Sequence, residues 1–301
     1  MKTTSNKRFL NIRGKDMYVE IHGDEDAYPL LYLHGGPGES CYEFCYHQAK
    51  RLQESFRLIA IDQRGVCRSE MIKNDERFSL DDILLDCEEL RKELGIESWA
   101  LLGHSFGGYI ALKYATMFSD SVSRLIFESP TFDFGLSGRS LLRKTAQISH
   151  DENMKELAEK CLELAQSDKS AKELMLKFIE IRSELGEKGK EIHIHNPNHE
   201  TDYSFYTDQE WERFYKRTTI HNNRLLEGGE MFESLLSKLK VIEQPSILIR
   251  GKYDPVTCEE QMKKFQKDVP DGEVVTLRNS GHFPHFEEPD EFTKSVVEFL
   301  K

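Results

Sequence analysis

Short apolar runs and polar turns alternate along the chain, and the pattern within each run predicts the element that it forms. Residues 9–12 and 17–21 flank the turn formers Gly14, Lys15 and Asp16, which predicts an N-terminal β-hairpin. The later runs are nearly continuous in apolar residues, as is typical of strands buried on both faces of a sheet. They predict strands at 29–34, 56–61, 99–102, 122–127, 246–250 and 273–277.

Helices are predicted between these strands. The clearest begins after Ser79 as N-cap, carries Asp81 and Asp82 in its first turn, and ends at Gly95. Further helices are predicted over 106–117, over 259–267 and in a closing segment through Phe299. Strands that alternate with helices predict an α/β fold, with a mostly parallel central sheet and helices on both of its faces.

The interval between residues 135 and 240 interrupts this alternation. It has no apolar strand run and reads as helices rich in Glu, Lys and Leu. We therefore predict a core in two parts, residues 1–134 and 241–301, separated by a helical insertion, which we call the helical cap (residues 135–240). The cap is expected to lie over one edge of the sheet.

Composition and charge exclude several classes of partner and of fold. The 301 residues contain 41 basic and 53 acidic side chains, for a formal net charge of −12. With no lysine- or arginine-rich block, nucleic acid is a poor candidate partner. No secretory leader and no run of 18 apolar residues is visible, so we expect a soluble cytoplasmic protein without a membrane partner. The six cysteines are too sparse for a disulfide scaffold and are expected to be free thiols.

The segment Gly103-His104-Ser105-Phe106-Gly107 has the pattern G-x-S-x-G. An apolar strand is predicted before it and an amphipathic helix after it, which is the context that gives the motif its meaning. The two glycines allow a sharp turn that holds the serine in a strained conformation at the start of a helix. Ser105 is therefore the candidate nucleophile.

A serine hydroxyl needs a base, and the base needs an orienting carboxylate. Asp254 and His282 each follow a predicted strand, in the order serine, acid, histidine. They are the candidate acid and base, since both lie at carboxyl ends of strands, where α/β sheets place their ligands. The alternatives are Glu128 or Asp133 as the acid and His285 as the base.

Acyl transfer also needs N–H donors for the developing oxyanion. The N–H of Phe106, next to the serine, is one candidate. The loop His34-Gly35-Gly36-Pro37-Gly38 supplies the other: Gly36 is preferred because glycine allows close approach and Pro37 has no N–H, and Gly35 is the alternative.

The remaining histidines are assigned other roles. His34 and His104 are expected to pack and hydrogen-bond beside the nucleophile turn. His193, His195 and His199 have a spacing that zinc could use, but no acidic partner stands at motif spacing and serine chemistry needs no metal. We therefore expect neither a metal nor a cofactor.

Two motifs carry a closer resemblance. HGGPG at residues 34–38, and DQRG at 62–65 followed by Arg68 and Ser69, resemble the proline iminopeptidase family of the α/β-hydrolase superfamily. The resemblance covers essentially the whole chain. It implies a cofactor-free serine peptidase with Ser105, Asp254 and His282 as its triad, which releases N-terminal proline or other residues from short peptides.

The resemblance also implies that glutamates of the cap grip the substrate's amino group. The candidates are Glu210, Glu212, Glu227 and Glu230. Overall charge does not favour an ammonium group there, because residues 136–240 hold 17 basic and 19 acidic side chains. Recognition must therefore depend on individual residues.

The sequence departs from the family at two points. The serine turn reads GHSFGG, a form widespread among esterases, and Cys67 stands where the family's DQRG motif usually continues with glycine. The principal alternative activity is therefore that of a carboxylesterase or lactonase with the same triad. A non-catalytic binding module would require a broken triad, and every member is present.

Overall fold

Residues of the central strands alternate between two apolar clusters, one on each face of the sheet, in the computed structural model, which describes residues 5–301. Leu31 and Leu33 join one cluster, whereas Leu30 and Tyr32, on the same strand, join the other. This follows from the two-residue period of a strand, which sends successive side chains to opposite faces. Both faces are apolar, so both must be covered.

Eight strands form one sheet in the order β1-β2-β4-β3-β5-β6-β7-β8. β2 runs antiparallel to both of its neighbours, and the strands from β4 to β8 are parallel. The strands are β1 (Ser5–Ile12), β2 (Lys15–His22), β3 (Tyr28–Leu33), β4 (Phe56–Ile61), β5 (Trp99–His104), β6 (Val122–Glu128), β7 (Ser246–Gly251) and β8 (Gly272–Leu277).

Helices cover both faces. The first cluster takes its helical residues mainly from α2 and α3, with Phe265 of α8, and the second takes them from α1 and α10. The helices outside the cap are α1 (Tyr42–Leu52), α2 (Leu80–Glu93), α3 (Phe106–Met117), α8 (Glu259–Asp268), α9 (Pro284–Glu287) and α10 (Pro289–Leu300).

The chain between β6 and β7 is helical. It forms α4 (Phe134–Asp151), α5 (Lys155–Gln166), α6 (Ala171–Glu184) and α7 (Asp208–Gly228), with 3₁₀ turns at Gly186–Ile192, Glu230–Phe232 and Leu236–Val241. α4, α5 and α6 share a third apolar cluster, which also takes in Val256 of the core. Within residues 5–301, no helix is both long and apolar enough to cross a bilayer.

The predicted fold class is confirmed: the sheet is mostly parallel and has helices on both faces. The bounds of β4 and α3 agree with the prediction, whereas α1 and the short α9 were not predicted. All six cysteines are free. The division of the chain at residues 135 and 240 stays a prediction, although α4 begins at Phe134 and the chain returns to the sheet at Ser246.

Candidate active site

Ser105 lies at the sharp turn between β5 and α3, with φ +53° and ψ −117°. Packing explains the two glycines around it. A Cβ on Gly103 would lie 2.3 Å from the Gly107 carbonyl oxygen, and one on Gly107 would lie 2.0 Å from that of Leu33. These contacts are with backbone atoms, which cannot yield as a flexible side chain can, so the turn can close only with glycine at both positions.

His282 and Asp254 meet at the carboxyl ends of β8 and β7. The His282 Nδ1 atom is 2.9 Å from Asp254 Oδ1, and both residues are buried. The amides of Val256 and Thr257 donate to the two Asp254 oxygens at 2.9 and 3.1 Å. Burial opposes ionisation of Asp254, but the His282 ring, the Arg250 guanidinium and the Val256 amide outweigh it and hold the pKa of the carboxyl below its ordinary value.

Ser105 and His282 line one cavity of about 330 Å³, together with Gly36. Ser105 is 8% exposed. Among residues 5–301, its hydroxyl makes no hydrogen bond to His282, and such catalytic contacts commonly tighten only when substrate binds. The candidate nucleophile and the candidate base therefore face the same space.

The predicted oxyanion donors lie beside this cavity. Gly36 has φ +111°, and a Cβ there would lie 2.5 Å from the amide nitrogen of Gly38, so the loop requires glycine at this position. Phe106 is the first residue of α3, and the first N–H groups of a helix have no acceptor within it. Both N–H groups are candidates for the oxyanion hole, an assignment that stays a prediction.

The cap glutamates are the weakest part of the sequence-based site. None of the four candidates lines the cavity that holds Ser105. Glu210 instead closes a capping box at the start of α7, where its carboxylate accepts from the Thr207 amide and hydroxyl at 2.9 and 2.8 Å. Glu227 is 72% exposed and lies 4.0 Å from Arg224. Glu212 and Glu230 are exposed.

A different glutamate lies at the cavity. Glu39 directly follows the HGGPG loop and lines the cavity with Ser105. Burial and the nearby Glu43 carboxylate raise its pKa to about 7, although His282 and His285 oppose this shift. The signal that could have pointed to Glu39 is its position, because it stands next to the loop that supplies the predicted oxyanion donor.

Glu287 was also missed. Its buried carboxylate accepts four backbone N–H groups: those of Gly281 and Phe283 at 2.9 and 3.1 Å, and those of His195 and Asn196 at 2.8 and 2.7 Å. The first two flank His282 and the last two belong to the cap. No motif marks this residue, since its role arises only when the two segments meet.

The alternative acid and base pair with each other. Glu128 Oε1 accepts from both the backbone N–H and the Nδ1 of His285, each at 2.8 Å. Burial alone would lower the pKa of His285, but the Glu128 carboxylate raises it to about 10. Asp133 caps α4 through the Leu136 amide at 2.9 Å. Neither alternative acid contacts His282.

The other histidines lie where packing places them. Burial lowers the pKa of His34 to about 4, and its Nε2 accepts from the Gln63 amide at 3.1 Å. His195 stacks on Tyr253 with 3.5 Å between the ring centroids. The His193 carbonyl accepts from the His282 amide at 2.6 Å. His193 and His195 thus have contacts that do not involve a metal.

The DQRG motif at residues 62–65, with Arg68 after it, stabilises the loop between β4 and α2. Asp62 and Arg68 form a buried ion pair at 2.6 Å. Arg64 pairs with Asp86 at 2.6 Å in the same way. Removing one partner of such a pair leaves an uncompensated buried charge, so the motif acts through the fold rather than at the cavity.

The chain belongs to the alpha/beta hydrolase fold family, whose model matches residues 28–289. Within that class it is similar to a proline iminopeptidase of Heyndrickxia coagulans, at 25% identity over 295 residues that cover 95% of each chain. It is also similar to epoxide hydrolase 1 of Caenorhabditis elegans, at 22% identity over 97% of this chain and 70% of that one.

Among solved structures, a proline iminopeptidase of Mycobacterium smegmatis has the same fold. Its TM-score is 0.70 at 19% identity, and the match covers 98% of this chain and 97% of the other. These comparisons confirm the predicted membership of the α/β-hydrolase superfamily and the likeness to proline iminopeptidases.

Proposed function

We propose that the protein is a serine hydrolase that works through an acyl-enzyme and releases N-terminal proline or another N-terminal residue from short peptides. One observation carries the proposal: His282 Nδ1 lies 2.9 Å from Asp254 Oδ1, and His282 faces the cavity that Ser105 also lines. An oriented imidazole beside a serine at a strained turn is the arrangement that activates a hydroxyl.

In the first half of the reaction, Ser105 Oγ bonds to the carbonyl carbon of the scissile amide while its proton passes to His282 Nε2. Asp254 fixes the ring through Nδ1–H and stabilises its positive charge. The N–H groups of Phe106 and Gly36 donate to the oxyanion. When the C–N bond breaks, His282 gives the proton to the leaving nitrogen, which departs as a free amine.

In the second half, water adds to the carbonyl carbon of the ester and gives a proton to His282. The ester C–O bond then breaks, and the same proton returns to Ser105 Oγ as the acid leaves. Each turn consumes one water molecule and no oxidant or reductant. The neutral imidazole is restored, so the base is ready for the next substrate.

The peptidase assignment is supported by HGGPG and DQRG and by similarity over 95% of the chain to a protein named proline iminopeptidase. One observation favours the alternative, a carboxylesterase or lactonase: Glu210, Glu227 and Glu230 do not line the cavity. The triad serves both reactions equally, so substrate tests must decide between them.

The test compares wild type and Ser105→Ala on prolyl p-nitroanilide and on p-nitrophenyl acetate. We expect wild type to cleave the anilide, and Ser105→Ala to lower kcat by roughly 10⁴- to 10⁶-fold, because the nucleophile is lost. A chromogenic assay measures both. Turnover of the acetate alone would contradict the peptidase assignment, and wild-type rates from Ser105→Ala would contradict the whole proposal.

The matched control is Ser183→Ala, which changes an exposed serine of α6 that donates only to the Glu180 carbonyl. It should leave both rates unchanged. Thermal melting of all three proteins separates loss of the nucleophile from loss of the fold, since Ser105→Ala removes one oxygen and keeps the backbone.

A further inference from the structure

The cavity that holds Ser105 carries two opposite charges that do not neutralise each other. Glu39 and Arg182 both line it. Within residues 5–301 neither side chain forms an ion pair, with the other or with any third residue, at N···O distances up to 4.0 Å. Lys190, the other cation of the lining, is paired with Glu187 at 2.6 Å. Glu39 and Arg182 are therefore the charges available to a ligand.

Glu39 lies close to the candidate nucleophile. A Cβ built on Gly35 would be 2.7 Å from Glu39 Oε2 and 3.0 Å from Ser105 Cβ, so the carboxylate and the serine flank the same glycine. In an amino acyl group, the amino nitrogen is two bonds from the carbonyl carbon that the serine attacks. A counter-ion for that nitrogen must be near the serine, as Glu39 is.

Among residues 5–301, no Lys, Arg or His nitrogen lies within 4.0 Å of a Glu39 carboxylate oxygen. Its neighbour Glu43 lies four residues further along the chain, in the first turn of α1, and both line an adjoining cavity of about 570 Å³. Glu43 is occupied: it accepts from the Tyr203 hydroxyl at 2.7 Å and lies 3.7 Å from His285 Nε2. Its negative charge helps to keep the pKa of Glu39 raised, to about 7. A substrate ammonium would supply the missing positive charge.

Arg182 provides the complementary group. It lies on α6 of the cap, and its side chain is exposed. A guanidinium presents a planar set of donors that matches a carboxylate. Most of the remaining lining is apolar, including Phe134, Phe178 and Phe232, so a charged group that enters the cavity finds few other partners.

We infer that the substrate is a short zwitterionic peptide of two or three residues, whose N-terminal ammonium binds Glu39 and whose C-terminal carboxylate binds Arg182. This inference rests on the proposed peptidase function and moves amine recognition from the cap to the loop after HGGPG. A volume of about 330 Å³ is at the lower end for small-ligand sites, which favours peptides of this length.

Binding tests the inference without turnover. Calorimetry on Ser105→Ala measures the affinity for prolylglycine, N-acetylprolylglycine and prolylglycinamide. We expect acetylation and amidation each to weaken binding about tenfold or more, since each removes one charge. Binding that is absent, or equal for the three ligands, would overturn the inference.

Two further substitutions test which residue binds each end of the peptide. In the Ser105→Ala background, Glu39→Gln should weaken binding of prolylglycine but leave that of the acetylated ligand unchanged. Arg182→Gln should likewise weaken binding of prolylglycine but leave that of prolylglycinamide unchanged. Glu180→Gln and Lys177→Gln, at exposed cap positions outside the cavity, are the charge-matched controls. Melting temperatures show whether each variant is folded.

The results separate the two proposals. If wild type cleaves no peptide but Ser105→Ala still discriminates the three ligands through Glu39 and Arg182, the peptidase function fails and the recognition site stands. If wild type cleaves peptides, and both substitutions leave affinity unchanged in the Ser105→Ala background and KM unchanged in the wild-type background, the function stands and the recognition site is wrong.

Discussion

Cys67 has a backbone conformation that favours glycine, with φ +40°. It lies in the loop that the Asp62 and Arg68 ion pair holds in place, and its amide donates to the Thr218 hydroxyl at 3.3 Å. The loop imposes this conformation on a residue with a Cβ, which costs roughly 1–2 kcal/mol. The departure from the family's glycine therefore has an energetic consequence at the backbone.

Comparison of Cys67→Gly with Cys67→Ala isolates that cost, because both variants remove the sulfur and only one keeps the Cβ. We expect the glycine variant to be more stable by about 1 kcal/mol, measured as the free energy of unfolding in urea.

The control is the same pair of substitutions at Cys161, a buried position inside α5. There glycine should be less stable than alanine by about 1 kcal/mol, as is usual within a helix. The same sign at both positions would contradict the strain at Cys67.

At this scale the sequence predicted residues whose role depends on local context. Ser105 was found from its motif, and Asp254 and His282 from their order after strands. The cap glutamates were named because the family resemblance implies acidic residues in the cap, and residue type does not single out one carboxylate among many. Thr207-x-x-Glu210 is itself a capping-box pattern, and this local signal favours a structural role for Glu210.

The loop that carries His282, the candidate base, is hydrogen-bonded to the cap. Glu287 at the end of α9 accepts N–H groups from both sides of His282 and from two cap residues, and the His282 amide donates to the carbonyl of His193. A carboxylate with four donors fixes the two backbones relative to each other. The position of His282 thus depends on the cap as well as on β8.

Glu287→Gln tests this link. One carboxylate oxygen accepts three N–H groups and the other accepts one, and an amide replaces one of these oxygens with an NH2 group that faces a donor instead of accepting from it. We therefore expect about 2–3 kcal/mol less stability and at least a tenfold lower kcat. Urea unfolding and the anilide assay measure the two effects.

Glu291→Gln, at an exposed position in the first turn of α10, is the matched control and should cost no more than about 0.5 kcal/mol. An unchanged kcat in Glu287→Gln, at a temperature where the variant is folded, would contradict a role in positioning His282.

Elements were predictable where periodicity was strong and long. The buried strands and α3 have long apolar runs, and such runs are typical of elements that are covered on all sides. α1 was missed because its buried residues, including Phe44, Ala49 and Leu52, are interspersed with polar and aromatic ones. α9 has four residues, too few for any period to be read.

The shifted pKa values of buried histidines make the stability of the whole molecule depend on pH. Burial lowers the pKa of His34 to about 4 and that of His221 to about 3, whereas the Glu128 carboxylate raises that of His285 to about 10. A histidine with a depressed pKa contributes stability above its unfolded pKa of about 6.5, and this is lost as pH falls toward the folded value. His285 has the opposite sign and contributes most in acid.

We therefore expect the free energy of unfolding to fall between pH 7 and pH 5. His34 and His221 each lose about 2 kcal/mol over this range, and the lowered pKa values of His47, His104 and His193 add to the loss. The raised pKa values of His22, His285 and Glu39 offset part of it. Urea titrations at pH 5, 6 and 7 measure the change.

His221→Gln should reduce the pH dependence, and His150→Gln, at a position 77% exposed, should not. Stability that is constant or rises toward pH 5 would contradict the assignment of buried neutral histidines.

The sequence by itself determined the fold class, the strand order along the chain, and the three residues of the candidate triad. Each depends on local periodicity or on a motif that includes its own structural context. Only the tertiary structure decided which glutamate lines the cavity with Ser105 and which one holds the loop that carries His282. Glu39 and Glu287 look like any other glutamates in the sequence, and their surroundings are made by segments far apart along the chain.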